Sequence, residues 1–152
     1  MSPHRLQRPW QGQVEATESE RLPAYDPGCS LCPGNARANQ NHNLDYAGPF
    51  VFDNDFPALT PASESNADQD ELFRMRPESG RCRVICYTER HDLRLATMSI
   101  DAICSTLDAM IDEFRSLDRE PGVGFVQLFE NRGAMMGCSN AHPHAQVWAT
   151  EH

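Results

Sequence analysis

Gly133-Ala134-Met135-Met136-Gly137-Cys138-Ser139-Asn140-Ala141-His142-Pro143-His144-Ala145-Gln146-Val147-Trp148 sets two histidines one residue apart, with a glutamine two positions further on. Side chains alternate along a strand, so residues 142, 144 and 146 of a strand share one side. The Gly-rich run ahead of them lets backbone N–H groups approach an anion closely. Together these features suit a phosphate handled by a histidine nucleophile. A His-x-His pair taken alone reads more simply as a surface or metal-binding pair. Pro143 has no N–H to give to a ladder, so the strand starts at this point or lies at a sheet edge. Upstream, residues Gly124 to Asn131 read as a strand after the break at Pro121-Gly122. Strand, Gly-rich turn and strand then form a hairpin, with the chemistry at its turn and second arm.

Working outward, residues Ser99 to Leu117 read as the one long helix. Ile100, Ile103, Leu107, Met110, Ile111, Phe114 and Leu117 recur at helical spacing and predict one buried face. Ser99 suits the N-cap and Asp101 the positive end of the helix, with Asp108, Asp112 and Arg115 on the solvated side. Arg81 to Thr88 reads as a strand with Cys82, Val84 and Cys86 on one packed face. Glu89-Arg90-His91-Asp92 follows at its end, where loops carry function. Gly48 to Leu59 starts as a short strand and ends in a polar Asn54-Asp55 turn, with Phe50, Phe52 and Phe56 as candidate core. The Pro/Ser/acid-rich run over 60–79 predicts a mobile surface loop without chemistry.

Asp26-Pro27-Gly28-Cys29-Ser30-Leu31-Cys32-Pro33-Gly34-Asn35 predicts a tight knuckle. Two thiolates spaced by two residues can hold one tetrahedral zinc, or form a redox pair. No strand-then-helix context of the redox motif surrounds them, which favours zinc. A zinc needs two further ligands, and His42, His91, His142 and His144 are the candidates. The remaining cysteines are Cys82, Cys86, Cys104 and Cys138. An even count can mean disulfides. No apolar core follows the N-terminus, so no signal peptide is expected, and metal binding in a reducing, cytoplasmic compartment is the better reading.

The 152 residues are one domain's worth, and the chain is read as a single domain over 1–152. With 13 basic and 22 acidic residues the net charge is −9, which argues against nucleic-acid or membrane-surface partners. No window approaches the roughly 18 apolar residues of a membrane span. Every basic residue is arginine, and arginine forks grip phosphate in bidentate fashion.

The run from Phe129 to Trp148 closely resembles the active-site segment of the galactose-1-phosphate uridylyltransferases, a branch of the histidine-triad superfamily. Ser2-Pro3-His4-Arg5-Leu6-Gln7-Arg8-Pro9-Trp10 resembles a second segment of the family, whose two arginines reach the nucleotide-sugar site of the partner subunit. From its own composition this arm is only a breaker-rich, solvated stretch. The resemblance implies a homodimer with shared sites, to which Arg5 and Arg8 contribute. It selects His91 and His142 to join Cys29 and Cys32 around one structural zinc per chain, leaving His144 free for chemistry. It reads Asn54 and Asp55 as contacts to the ribose and base of uridine, walled by Phe52 and Phe56. Gln146 and Ser139 match holders of phosphoryl oxygens, and Asn131, Gly137 and Cys138 match further nucleotide-sugar contacts. Arg132 sits where the family usually has another basic residue.

The implied fold is α+β of the histidine-triad type, a mostly antiparallel sheet with one long packed helix. The implied activity moves UMP from UDP-glucose to galactose 1-phosphate, giving UDP-galactose, through a uridylyl-His144 intermediate with ping-pong kinetics. A neutral imidazole is both a good nucleophile and a good leaving group on phosphorus near pH 7. Ala141 departs from the proline common before the first histidine of the pair, and Ala145 from the more frequent glycine. By the same resemblance the chain covers roughly the N-terminal catalytic half, ending just after the active-site strand. Two other readings therefore stand beside the first: a histidine-triad transferase or hydrolase for another nucleotide, and a zinc-stabilised nucleotide-binding domain without turnover.

Overall fold

The computed structural model describes residues 21–61, 72, 78–133, 136, 138 and 140–152. Among them, four strands form one antiparallel sheet in the order β1-β2-β4-β3, with β1 at Phe50–Asp53, β2 at Gly80–Cys86, β3 at Phe125–Phe129 and β4 at His144–Thr150. The long helix, α1, runs over Ile100–Asp118 between β2 and β3. The fold is α+β, an antiparallel sheet with one long helix packed on it. The central strands β2 and β4 place apolar residues on both faces, Val84 beside Ile85 and Val147 beside Trp148, as a sheet covered from two sides requires.

Paired residues in an antiparallel ladder share a face, so the register assigns each face its contents. Cys86 lies opposite His144, Val84 opposite Gln146, and Phe52 opposite Val84. One face therefore carries Phe52, Val84, Cys86, His144 and Gln146. The other carries Ile85, Ala145, Val147 and Ala149. On this second face Ile85, Val126, Val147 and Ala149 pack with Leu117 of α1 as the main core. On the first face Phe52, Val84 and Cys86 pack beneath Leu31, Tyr46 and Phe50, so the knuckle segment covers that side. Each buried aliphatic side chain of this kind stabilises the fold by roughly 1.5–3 kcal/mol.

Helix α1 begins where Ser99 accepts a hydrogen bond from the backbone N–H of Ala102 (3.2 Å), as an N-cap serine should. Its buried stripe is narrower than the sequence pattern predicts. Thr106 and Leu117 are buried, with Ile103 and Met110 half-buried on the same stripe. Ile100, Leu107, Ile111 and Phe114 are exposed. The sheet accepts only the stripe through 103, 106, 110, 113 and 117. Two polar residues fit that stripe because they are satisfied locally. The Thr106 hydroxyl lies 2.8 Å from the Ala102 carbonyl, and Glu113 pairs with Arg83 of β2 at 3.4 Å.

The loop expected over 60–79 falls mostly outside the described residues. Its two ends meet, since Gly80 N–H donates to the Thr60 carbonyl at 3.1 Å. Among the described residues no helix is long and apolar enough to cross a membrane. All six cysteines are free thiols, so the disulfide alternative has no support in the fold.

Candidate metal centre and nucleophile

Pro143 sits immediately before β4, and this fixes how the two histidines are used. The strand starts at His144, so His142 is not the first residue of an alternating strand face. The expectation that residues 142, 144 and 146 line one surface is corrected to 144 and 146 alone. The His142 ring instead turns inward and is 1% exposed. The Pro143 carbonyl accepts from Tyr87 N–H at 3.0 Å, which extends the β2–β4 pairing one step and fixes the loop.

Around His142, four side chains converge. One donor atom from each of Cys29, Cys32, His91 and His142 lies within 4.8 Å of the others, and all four residues are buried. Cys32 Sγ stands 3.6 Å from His91 Nδ1 and 3.5 Å from His142 Nδ1. A tetrahedral zinc with bonds of ~2.3 Å to sulfur and ~2.05 Å to nitrogen needs an S···N edge of about 3.6 Å. The donor set and its spacing therefore fit a tetrahedral metal ion closed by protein groups. Leu31 N–H donates to Cys29 Sγ at 3.3 Å, which orients the sulfur within the turn. Without a cation, burial pushes the Cys32 thiol up to about 11, so a metal entering here must displace its proton. Burial pushes His142 down to about 4, which keeps its imidazole neutral and able to ligate.

The back of the site is satisfied as well. With Nδ1 toward the cluster, His142 Nε2 carries the proton and donates to the Thr88 carbonyl at 2.9 Å. Tyr46 Oη lies 3.1 Å from the same nitrogen and donates to the Leu31 carbonyl at 2.6 Å. Burial raises the Tyr46 phenol, so it stays a donor. Such outer contacts fix the tautomer and ring plane of a metal-binding histidine. Asn140 joins the knuckle to the histidine loop. Its Oδ1 accepts from His142 N–H at 2.9 Å, and its Nδ2 lies 3.4 Å from Ser30 Oγ. His91 is placed by its N–H, which donates to the Ala24 carbonyl at 2.9 Å. Nearby, the Glu89 carboxylate accepts from Gly48 N–H at 2.8 Å, which holds it below the usual carboxylate range.

His144 is half-buried at the head of β4, on the face opposite α1. Its Nδ1 lies 2.7 Å from the His142 carbonyl, which can only accept. The Nδ1 position therefore bears the proton, and Nε2 bears the lone pair. Gln146 follows on the same face two residues along, also half-buried.

At the end of β1, Asn54 Oδ1 accepts from Phe56 N–H at 2.9 Å and closes a tight turn. That turn sends Asp55 back against Arg37 at 3.6 Å, and Arg37 lies 4.5 Å above the Phe52 ring. Phe52 is buried as expected, but Phe56 is 77% exposed and no part of the core. The turn after Asn54 points its side chain outward.

The full stretch 1–152 matches the family model for galactose-1-phosphate uridyl transferase, N-terminal domain. The chain belongs to that family. It is 48% identical over 158 residues to a galactose-1-phosphate uridylyltransferase of Cryptococcus neoformans, covering 99% of this chain and 42% of the relative. A Rattus norvegicus relative of the same name is 48% identical over 153 residues, covering 99% and 39%. A Haemophilus influenzae relative, again of that name, is 45% identical over 152 residues, covering 98% and 42%. Among solved structures, a uridylyltransferase is similar with a TM-score of 0.67 at 24% identity, covering 84% of this chain and 40% of the other. An ADP-glucose phosphorylase from Arabidopsis thaliana is similar with a TM-score of 0.61 at 22% identity, covering 99% and 44%. At these identities the structural likeness is one of fold. The chain spans about two-fifths of the length of the relatives it matches.

Of the residues expected at the site, most lie among the described residues. The fold brings Cys29, Cys32, His91 and His142 together, and sets His144 and Gln146 on one face. Asn131 is half-buried just after β3, and Cys138 Sγ lies 3.0 Å from the Asn140 carbonyl. Arg5, Arg8, Gly137 and Ser139 lie outside the described residues. Sequence reading gave no role to Arg37, Tyr46, Thr88 or Asn140. Thr88 acts through its carbonyl, which no side-chain pattern marks. The other three sit in ordinary loop sequence.

Proposed function

We propose that this chain is the nucleotide-binding and nucleophile-bearing part of a hexose-1-phosphate uridylyltransferase. His144 Nε2 attacks the α-phosphorus of UDP-glucose. An N–P bond forms, the P–O bond to the leaving group breaks, and glucose 1-phosphate departs as a dianion. A phosphate oxygen of galactose 1-phosphate then attacks the same phosphorus, the N–P bond breaks, and UDP-galactose leaves. The acceptor is already an anion, so no strong general base is required. The observation that supports this reading is the 2.7 Å contact from His144 Nδ1 to the His142 carbonyl, which leaves the ring's lone pair on Nε2.

In this reading Gln146 and Ser139 hold phosphoryl oxygens as charge shifts on phosphorus. Asn131, Gly137 and Cys138 contact the nucleotide sugar, and Asn54 and Asp55 take the ribose and base. One zinc held by Cys29, Cys32, His91 and His142 is structural: when bound it supplies a cross-link between knuckle and β4, with no open position for substrate. Arg5 and Arg8 reach across a homodimer into the partner's site. Residues 1–152 act as one domain, working in the cytoplasm.

The test is intact mass after incubation with UDP-glucose, beside a His144→Asn control. A gain of one uridylyl group in the parent and none in the control supports the assignment. No gain in folded, zinc-loaded protein supports instead the reading that this length binds nucleotide without turnover. Covalent labelling by an adenylylated donor in preference to UDP-glucose would overturn the choice of nucleotide.

A further inference from the structure

Arg37 has no part in the chemistry proposed above, yet it joins two regions that do. It opens the tip of the small hairpin that grows out of the knuckle. Its N–H donates to the Asn41 carbonyl at 2.7 Å, its carbonyl accepts from Gln40 N–H at 2.9 Å, and Ala36 and His42 form the bridge beneath. The backbone is thereby anchored a short way along the chain from Cys32. From that base the guanidinium crosses to the end of β1. It lies over the Phe52 ring at 4.5 Å and reaches Asp55 at 3.6 Å.

Both side chains of this ion pair are nearly enclosed, at 14% and 11% exposure. Arg37 Nε and Asp55 Oδ1 are buried and make no hydrogen bond. The pair is therefore held by charge and by the aromatic platform, and Oδ1 accepts no hydrogen bond among the described residues. Enclosing a carboxylate is costly unless a cation stands beside it, and Arg37 is the cation against this one. We propose that Arg37 is a positioning residue for nucleotide selection: it supplies the countercharge that keeps Asp55 a carboxylate able to accept from a ribose diol, and ties that acceptor to the knuckle bearing Cys29 and Cys32. The inference rests on the reading of Asp55 as a ribose contact.

The geometry assigns a division of labour. Asp55 supplies the acceptor, Phe52 the platform, and Arg37 the charge that keeps both in place. Lysine would not replace it, because a compact ammonium cannot both lie flat over Phe52 and reach Asp55.

The test is calorimetric binding of UMP and of 2′-deoxy-UMP to the zinc-loaded chain, for the parent and for Asp55→Asn, Arg37→Gln and Arg37→Lys, with zinc content as the check on folding. A hydrogen bond to a charged acceptor predicts a preference for UMP of roughly tenfold or more in the parent. Asp55→Asn and Arg37→Gln should both bring the ratio close to one, and Arg37→Lys should lower it severalfold. A purely structural Arg37 would weaken both ligands by the same factor and leave the ratio unchanged. An unchanged ratio in Arg37→Gln, with the ratio lost in Asp55→Asn, overturns the role of Arg37 and spares that of Asp55. An unchanged ratio in Asp55→Asn, or no preference in the parent, overturns the reading of Asp55 itself. Should Arg37→Gln lose its zinc, Arg37→Lys decides, and a parental ratio there overturns the proposal.

Discussion

The carbonyl of His142 accepts a hydrogen bond from Nδ1 of His144 at 2.7 Å, while the His142 ring points the other way, into the Cys29–Cys32–His91 cluster. One residue therefore faces two tasks. Its side chain completes a donor cluster that fits a metal ion, and its backbone sets the tautomer of the neighbouring histidine. In the proposed reading, metal occupancy and the geometry of His144 are linked through Pro143, whose ring restricts the backbone between the two histidines.

Removing the metal should therefore cost reactivity at His144 although His144 is no ligand. Treatment with a strong chelator should lower the rate of uridylylation from UDP-glucose by at least about tenfold, with recovery on adding zinc back. Intact mass against time reads the rate. Full reactivity in metal-free protein would break the proposed link.

The helix gives a sharper contrast. Leu117 is 1% exposed in the main core, whereas Ile111 is 45% exposed on the same apolar arc. Leu117→Ala should destabilise by about 2–5 kcal/mol, since it leaves a cavity between α1 and the central strands. Ile111→Ser should stay within about 0.5 kcal/mol. Denaturant unfolding of the zinc-loaded chain measures both, and a large loss for Ile111→Ser would mean that the buried stripe runs through residue 111.

That contrast also shows where sequence reading reaches its limit. Periodicity identified α1, its serine cap and the apolar arc, because those are local properties of the chain. It could not choose which part of a wide arc meets the sheet, a choice that depends on tertiary packing against Ile85, Val126 and Val147 and on polar residues such as Thr106 that find a partner in place. The same split holds at the site. The spacing of Cys29 and Cys32 left metal or redox pair open and their context favoured a metal, but pairing them with His91 and His142 required the family resemblance, since 59 residues separate Cys32 from His91 and 110 separate it from His142. The inward turn of His142 was partly legible in Pro143, which bars it from the ladder. Arg37 and Tyr46 were not legible, because each acts through a tertiary contact with no local signature.

Gly80 marks a place where two backbones come close. A Cβ added there would run into the carbonyl oxygen of Ala149 on β4, with Leu59 also near. Neither β2 nor β4 can step aside without disturbing a register that runs from Gly80–Thr150 to Cys86–His144. Gly80→Ala should therefore destabilise by about 1–3 kcal/mol, as overpacking does, despite alanine's lower conformational entropy when unfolded. A thermal melt of the variant that matches the parent would show that the strand end yields freely.

Tyr46 tests whether the layer behind the metal matters. Its hydroxyl donates to the Leu31 carbonyl at 2.6 Å, inside the Cys-x-x-Cys turn, and sits 3.1 Å from His142 Nε2. The phenol thus touches both halves of the centre, the thiolate turn and one imidazole. Its ring also stacks on Phe50 with centroids 4.6 Å apart, so Tyr46→Phe should keep the packing and remove only the oxygen. Losing the Leu31 bond should cost about 1 kcal/mol of stability. The effect on the metal should be larger than that suggests. His142 keeps its bond to the Thr88 carbonyl, but the turn presenting Cys29 and Cys32 loses its tether, and outer-contact losses of this kind weaken metal binding by about 10–100-fold. Competition against a chromophoric chelator measures the affinity directly. An unchanged zinc affinity with lowered stability would assign Tyr46 to packing alone, whereas a weakened affinity in a folded variant would make it part of the metal centre.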